Sequence, residues 1–228
     1  MGKKWIEVEH LTKIYGKGET ALKALDDVSF TVQTGEFAAV TGESGSGKTT
    51  LLNILGSLDR ADEGTVRVDE MDLMHMDDNA LAAYRRQKIG IIFQSFNLIP
   101  VLNVEENIVL PLNLDNVEVD RAFLDEMLTL TGLTEKRLSF PHELSGGQQQ
   151  RVAFVRALIH KPDVILADEP TGNLDTRNSR EIIHILKESI RKYNQTLLLI
   201  THDPAIAAQA DRIFRMTDGR LTEEGLPK

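Results

Sequence analysis

The 228-residue chain contains no cysteine. That excludes thiol catalysis, Cys-ligated zinc and disulfide cross-links, and it leaves a reducing compartment open to the protein. At this length one domain can bury a substantial apolar core without such staples. Long apolar runs are also missing. The longest are strand-length pieces such as Leu197-Leu198-Leu199-Ile200, far below the ~20 residues that span a bilayer. Any membrane association is therefore expected through a partner. Positive charge is in deficit: 26 Lys and Arg against 35 Asp and Glu give a formal charge of -9, which argues against a broad electropositive surface for duplex nucleic acid. No nucleic-acid partner is expected. No apolar run follows Lys3 and Lys4, so no signal peptide is expected either. There is no internal repeat, low-complexity tract or flexible linker.

Strands are expected at Ile6 to Leu11, Val28 to Val32 and Phe37 to Thr41, punctuated by Gly16, Gly18 and Gly35. A helix should start at Lys48. Strand character resumes at Thr65 to Val68 and at Ile89 to Phe93, around a helical stretch near Asp78 to Gln87. From Val104 to Ile159 the pattern is mostly helical. Then come an apolar strand at Val164 to Ala167, an amphipathic helix from about Thr176 to Tyr193, a second apolar strand at Leu197 to Thr201 and a β-rich tail. Strand-helix alternation of this kind implies an α/β fold with an open, mostly parallel sheet.

Gly42-Glu43-Ser44-Gly45-Ser46-Gly47-Lys48-Thr49 fits the phosphate-binding pattern G-x-x-x-x-G-K-S/T in full, follows a strand and opens a helix, with Thr50 next in the helix. Glycines let the backbone turn tightly enough to aim successive N–H groups at phosphate oxygens, and the helix N-terminus adds positive dipole. Lys48 is read as a mobile, solvent-facing charge, and Thr49 as a hydroxyl ligand for Mg²⁺. Val164-Ile165-Leu166-Ala167-Asp168-Glu169 runs four apolar residues into two carboxylates. Asp168 is thereby expected at the carboxyl end of a buried strand, within reach of Mg²⁺, with Glu169 placed to polarise an attacking water.

Leu144-Ser145-Gly146-Gly147-Gln148 has Ser145 and Gln148 in capping-box spacing, so a helix should start there with bare glycine N–H groups facing outward. With the phosphate cradle before it and the acidic strand end after it, this segment resembles the signature motif of ABC ATPases. The resemblance runs from about Ile6 to Leu221 and implies an ATP-binding and ATP-hydrolysing domain. Its expected fold is a P-loop core of ABC type, with an N-terminal antiparallel β region and an inserted helical subdomain. The core would occupy approximately 1–93 and 162–228 of a single 1–228 unit, and the helical subdomain 94–161.

The resemblance further implies that Tyr15 stacks on adenine, that Gln94 senses Mg²⁺ and water and begins the segment touching a membrane partner, and that Asn173-Leu174-Asp175 crosses a dimer seam. His202 would contact the γ-phosphate. The signature segment would complete the nucleotide site of a second ATP-binding subunit, so that two chains clamp two ATP molecules. The remaining histidines match no position of the family pattern. Phe154 and Val155 are unusual apolar residues for the signature helix.

Phe93-Gln94-Ser95-Phe96-Asn97-Leu98-Ile99-Pro100, Asn107, Leu110-Pro111-Leu112 and the stretch from Asp168 to Asp175 are similar to one branch of the family. That branch serves lipoprotein release, macrolide or antimicrobial-peptide export and FtsE-type cell-division complexes. It implies a permease on a separate chain, at the cytoplasmic face of the membrane, for export or force transmission. The alternative is a soluble ABC ATPase acting on nucleic acid, ribosomes or an assembly scaffold. Its relatives carry doubled motifs or a long coiled coil, and neither occurs here.

Overall fold

The computed structural model describes residues 4–172, 174 and 176–225. In chain order the elements are β1 (Lys4–Tyr15), β2 (Leu22–Gln33), β3 (Phe37–Thr41), α1 (Lys48–Leu55), β4 (Glu63–Val68), β5 (Met71–Asp72), α2 (Asp78–Gln87), β6 (Ile89–Ile92) and α3 (Val104–Leu114). There follow α4 (Arg121–Leu130), α5 (Gly146–Leu158), β7 (Val164–Asp168), α6 (Thr176–Tyr193), β8 (Thr196–Ile200), α7 (Pro204–Ala207), β9 (Arg212–Thr217) and β10 (Arg220–Glu224).

The strands form two sheets. One is antiparallel, in the order β2-β1-β4-β5; the other runs β10-β9-β3-β8-β7-β6, parallel throughout except for β10 against β9. Helices α3, α4 and α5 are inserted between β6 and β7. This is the expected architecture: an antiparallel N-terminal region, a mostly parallel sheet and an inserted group of helices.

Period-two alternation of side chains explains why β3, β7 and β8 read as unbroken apolar runs. Ala39, Ile165, Ala167, Leu197 and Leu199 enter one core with α3 to α6, while Ala38, Val40, Val164, Leu166, Leu198 and Ile200 enter a second core with α1, α2 and the antiparallel sheet. Both faces of the parallel sheet are thus covered, and only its ends remain to bind anything. Helix α6 supplies Ile182, Leu186 and Ile190 at four-residue spacing to the first core. Phe154 and Val155 of α5 are completely enclosed there.

Strands β1 and β2 are each twelve residues long, longer than the pieces expected at Ile6 to Leu11 and Val28 to Val32. The reason is irregular pairing. Register shifts occur between Val8 and Leu11 and again beyond it, and His10 and Asp27 take positive φ (51° and 57°). Each bulge breaks the apolar alternation, so one long strand reads as a short one. The extension brings Tyr15, at the tip of β1 and paired with Leu22, to the edge of the cleft described next. Among the described residues no helix is long and apolar enough to cross a membrane.

Candidate functional site

The turn between β3 and α1 is built from glycines for two separate reasons. Gly42 and Gly47 take φ of 149° and 110°, and a Cβ on them would lie 2.2 Å from the Met216 carbonyl oxygen and 2.3 Å from the Ala24 carbonyl oxygen. No larger residue fits at either position. Gly47 is the N-cap of α1 and offers no side-chain acceptor, so the first N–H groups of that helix face the cleft without the partner a Ser or Asp cap would supply. An anion can take that place.

Lys48 departs from the expectation of a solvent-facing charge. It is buried (9% exposed), and its ammonium donates to the Gly42 carbonyl at 2.9 Å, the Glu43 carbonyl at 2.5 Å and Ser46 Oγ at 3.3 Å. The physical reason is local: a three-donor cation at the first position of α1 finds the inward-turned carbonyls of its own loop. Ser46 accordingly points inward toward Lys48 and is itself buried.

Asp168 lies at the carboxyl end of β7, as the apolar run ahead of it required. Its Oδ2 accepts the Thr49 hydroxyl at 2.9 Å, joining residues 119 positions apart. Burial pushes its carboxyl above the ordinary carboxylate value, against the opposing pull of the Thr49 hydrogen bond and the nearby Lys48 charge. A hydroxyl and a carboxylate form a hard, all-oxygen donor pair that suits Mg²⁺. Among the described residues no group of three or more His, Cys, Asp or Glu could hold a metal. A cation here would therefore draw its other ligands from phosphate and water.

Glu169 takes positive φ (46°), uncommon for a residue with a side chain. Two backbone bonds hold it there: its N–H donates to the Ile200 carbonyl and its carbonyl accepts the Gly172 N–H, each at 3.0 Å. The turned backbone aims the carboxylate across the sheet end, where Oε1 lies 2.8 Å from His202 Nδ1. Gln94 is close by: its Nε2 lies 3.4 Å from where a Cβ on Gly172 would stand.

These groups meet in one cleft of about 700 Å³. It is lined by Tyr15, Gly42, Glu43, Ser44, Gly45, Gly47, Lys48, Thr49, Thr50, Gln94, Asp168, Glu169 and His202, together with Leu22, Lys23, Ala24, Asp218 and Gly219. Ser145, Gly146, Gly147 and Gln148 do not line it. They form the start of α5, exposed at Ser145 and Gly146 and half-buried at Gly147 and Gln148, where the expected capping box is present: Ser145 Oγ accepts the Gln148 N–H at 3.3 Å and Gln148 Oε1 accepts the Ser145 N–H at 2.9 Å. Asn173 and Asp175 lie outside the described residues.

Two residues at this end of the molecule were not read from the sequence as parts of the site. Arg156 of α5 donates to the carbonyls of Phe96 (3.0 Å) and Asn97 (2.7 Å), and Asn107 of α3 is fully buried against Ile99, Leu102 and Asn103. Both hold the stretch that follows Gln94. A signal for Arg156 existed in the cation between Val155 and Ala157 on a buried helix. Asn107 was noticed only as a mark of its branch.

Residues 25–172 match the ABC transporter family. The chain belongs to that family. It is 42% identical over 224 residues to the ABC transporter ATP-binding protein YxdL of Bacillus subtilis, covering 96% of this chain and 86% of that one. It is also 42% identical over 221 residues to the macrolide export ATP-binding/permease protein MacB of Hyphomonas neptunium. The match covers 96% of this chain but 34% of that protein, so the chain spans about a third of the length of its MacB relatives. Among solved structures it resembles the dimeric cassette MJ0796 in a post-hydrolysis state bound to ADP and Pi, with a TM-score of 0.90 and 39% identity, covering 98% of this chain and 99% of that one. A second dimeric MJ0796 structure, described as a bacterial ABC transporter cassette, gives a TM-score of 0.91 at 40% identity. The chain has the cassette fold of that family.

Proposed function

We propose that two copies of this chain close around two ATP molecules and that closure drives a permease carried on a separate chain, at the cytoplasmic face of a membrane, for export or force transmission. One observation carries the reading. The cleft offers a phosphate cradle and a carboxylate on one side, while the glycine-rich start of α5 is exposed and outside it. A second chain's Ser145-Gly146-Gly147-Gln148 would supply the missing wall.

In this reading the 94–161 segment is a helical subdomain and 1–93 with 162–228 the core. Lys48 and the N–H groups of residues 44–49 bind the triphosphate, exchanging the loop carbonyls that Lys48 now bridges for phosphate oxygens. Tyr15 provides a flat apolar face for the base. Glu169 takes a proton from the attacking water, and His202 keeps the carboxylate aimed. Gln94 orients the water, and Asp175 belongs to the seam between the chains. Thr49, Asp168 and Gln94 would hold Mg²⁺, which supplies charge neutralisation on the phosphates.

A docking surface for the permease is supported by exposed apolar residues near the Gln94 stretch. Ile99 and Val101 lie in it, and Leu138 and Phe140 flank the strand-like contact in which the Val104 N–H meets the Ser139 carbonyl at 2.9 Å. The MacB relatives, named for macrolide export, support export as the direction, with the cargo recognised by the permease.

The decisive experiment combines Glu169→Gln with ATP and Mg²⁺. Hydrolysis should fall sharply, ATP should still bind, and a dimer should accumulate in sedimentation. A variant that stays monomeric with ATP, alone and with its permease, overturns the shared-site reading. Affinity capture from solubilised membranes tests the partner: recovery of a permease supports it, and recovery of soluble scaffold proteins alone removes it.

A further inference from the structure

The tip of β1 is tied down by a single turn that lies 44 to 48 residues further along the chain. Tyr15 Oη donates to Asp59 Oδ2 at 2.6 Å. The other carboxylate oxygen, Oδ1, receives the Lys13 ammonium at 3.0 Å and the Arg60 N–H at 2.7 Å. Lys13 Nζ also donates to the Arg60 carbonyl at 2.6 Å and stands over the Tyr15 ring, 5.1 Å from its centre. Asp62 of the same turn accepts the Ile14 N–H at 2.6 Å. Asp59 and Lys13 act directly on one exposed ring that lines the nucleotide cleft, with Thr50 alongside it, while Arg60 and Asp62 hold the carboxylate and the strand tip in place.

An aromatic side chain at an exposed strand tip would ordinarily sample several rotamers, and ordering it against a base would cost entropy on binding. Here the phenol oxygen is pinned, and the ammonium over the ring leaves the opposite face for a flat partner. We propose that Asp59, with Lys13 as its counter-ion, is a positioning residue for nucleotide binding that fixes the Tyr15 ring as the platform for the base. This rests on the reading of Tyr15 as the base-stacking residue. Asp59 contacts no phosphate and takes no part in hydrolysis. Its effect is confined to the part of the ligand that has a ring.

The test is calorimetric titration of the full-length chain with MgADP and, separately, with Mg-tripolyphosphate, which has the charge but no base. Tyr15→Phe, Asp59→Asn and Asp59→Ala should each weaken MgADP by about threefold to tenfold and leave tripolyphosphate binding as in the unmodified chain. The double variant Tyr15→Phe with Asp59→Ala should be no weaker than the worse of its parents, because the Tyr15–Asp59 hydrogen bond is lost in both. Tyr15→Phe keeps the ring at an exposed position and guards against a folding failure of the aspartate variants. If Tyr15→Ala loses MgADP affinity while neither Asp59 variant does, the positioning role falls and the platform stands. If Tyr15→Ala binds MgADP normally, the platform itself falls and the proposal with it. An equal loss for tripolyphosphate in the Asp59 variants would mean a loosened cradle and overturn the proposal as well.

Discussion

Nδ1 of His202 lies 2.8 Å from Oε1 of Glu169, with the glutamate side chain largely enclosed at 14% exposure and the imidazole open at 72%. The enclosed partner is the one whose direction matters, since its backbone is already held at positive φ. The exposed ring can leave or enter without disturbing the core. His202→Ala is expected to lower ATP turnover by roughly tenfold to a thousandfold while ADP affinity and melting temperature hold. Phosphate-release kinetics beside a thermal melt would check this. Unchanged turnover would make the contact a packing detail.

The phosphate turn, the acidic strand end and the cap of α5 were legible because each is a local device. Glycine at 42 and 47, the four apolar residues before Asp168, and Ser145 three positions before Gln148 announce their geometry within a few residues. The burial of Lys48 was not legible, because it depends on carbonyls of its own loop turning inward. Nor was the Tyr15–Asp59 bond. Asp59 follows α1 with no motif around it, and only the pairing of β1 with β4 brings its turn beside the tip of β1. The long first two strands were hidden for a related reason: bulges at His10 and Asp27 break the alternation by which strands are recognised.

Asp168 should carry a stability cost that rises with pH. Burial holds its carboxyl above the ordinary value, so the folded chain binds that proton more tightly than the unfolded chain. The native state is therefore favoured at low pH and loses this contribution as pH rises through the ordinary carboxylate range and the raised folded value. Asp168→Asn keeps an acceptor for Thr49 and removes the charge. Without nucleotide it should melt higher than the unmodified chain at neutral pH, with the difference shrinking as pH falls toward about 4. It should also lose ATP turnover. Melts across that range would check both the sign and the window, and a constant difference at every pH would rule out the charge as its source.

Asn107 is fully buried and gives all its polar atoms to the turn before α3. Its Oδ1 accepts the Ile99 N–H at 2.8 Å, and Nδ2 donates to the carbonyls of Ile99, Leu102 and Asn103 at 3.1, 2.8 and 3.0 Å. Asn107→Ala leaves several backbone groups without partners and should cost about 2–4 kcal/mol. Asn107→Leu should not restore the loss, because the carbonyls stay unpaired. Urea denaturation gives the magnitude, and hydrogen exchange should show the loss of protection concentrated in residues 96–103. Exchange that rises evenly over the chain would contradict a local hold on the stretch after Gln94.

Ser145 has two duties that substitution can separate. As N-cap of α5 it satisfies the Gln148 N–H, and Ser145→Ala should cost about 1 kcal/mol of stability on that account. As the exposed start of the helix it is read as a donor to the triphosphate held by a second chain. Ser145→Asp keeps a good cap and gains from the helix dipole, so its stability should match or exceed that of the unmodified chain. Yet in that reading a carboxylate at the same place would face the phosphates and repel them. Placed in the Glu169→Gln background, Ser145→Asp should fold fully, bind ATP in the cleft and fail to form the ATP-dependent dimer. Should that double variant dimerise as readily as Glu169→Gln alone, the start of α5 does not face the nucleotide across the seam.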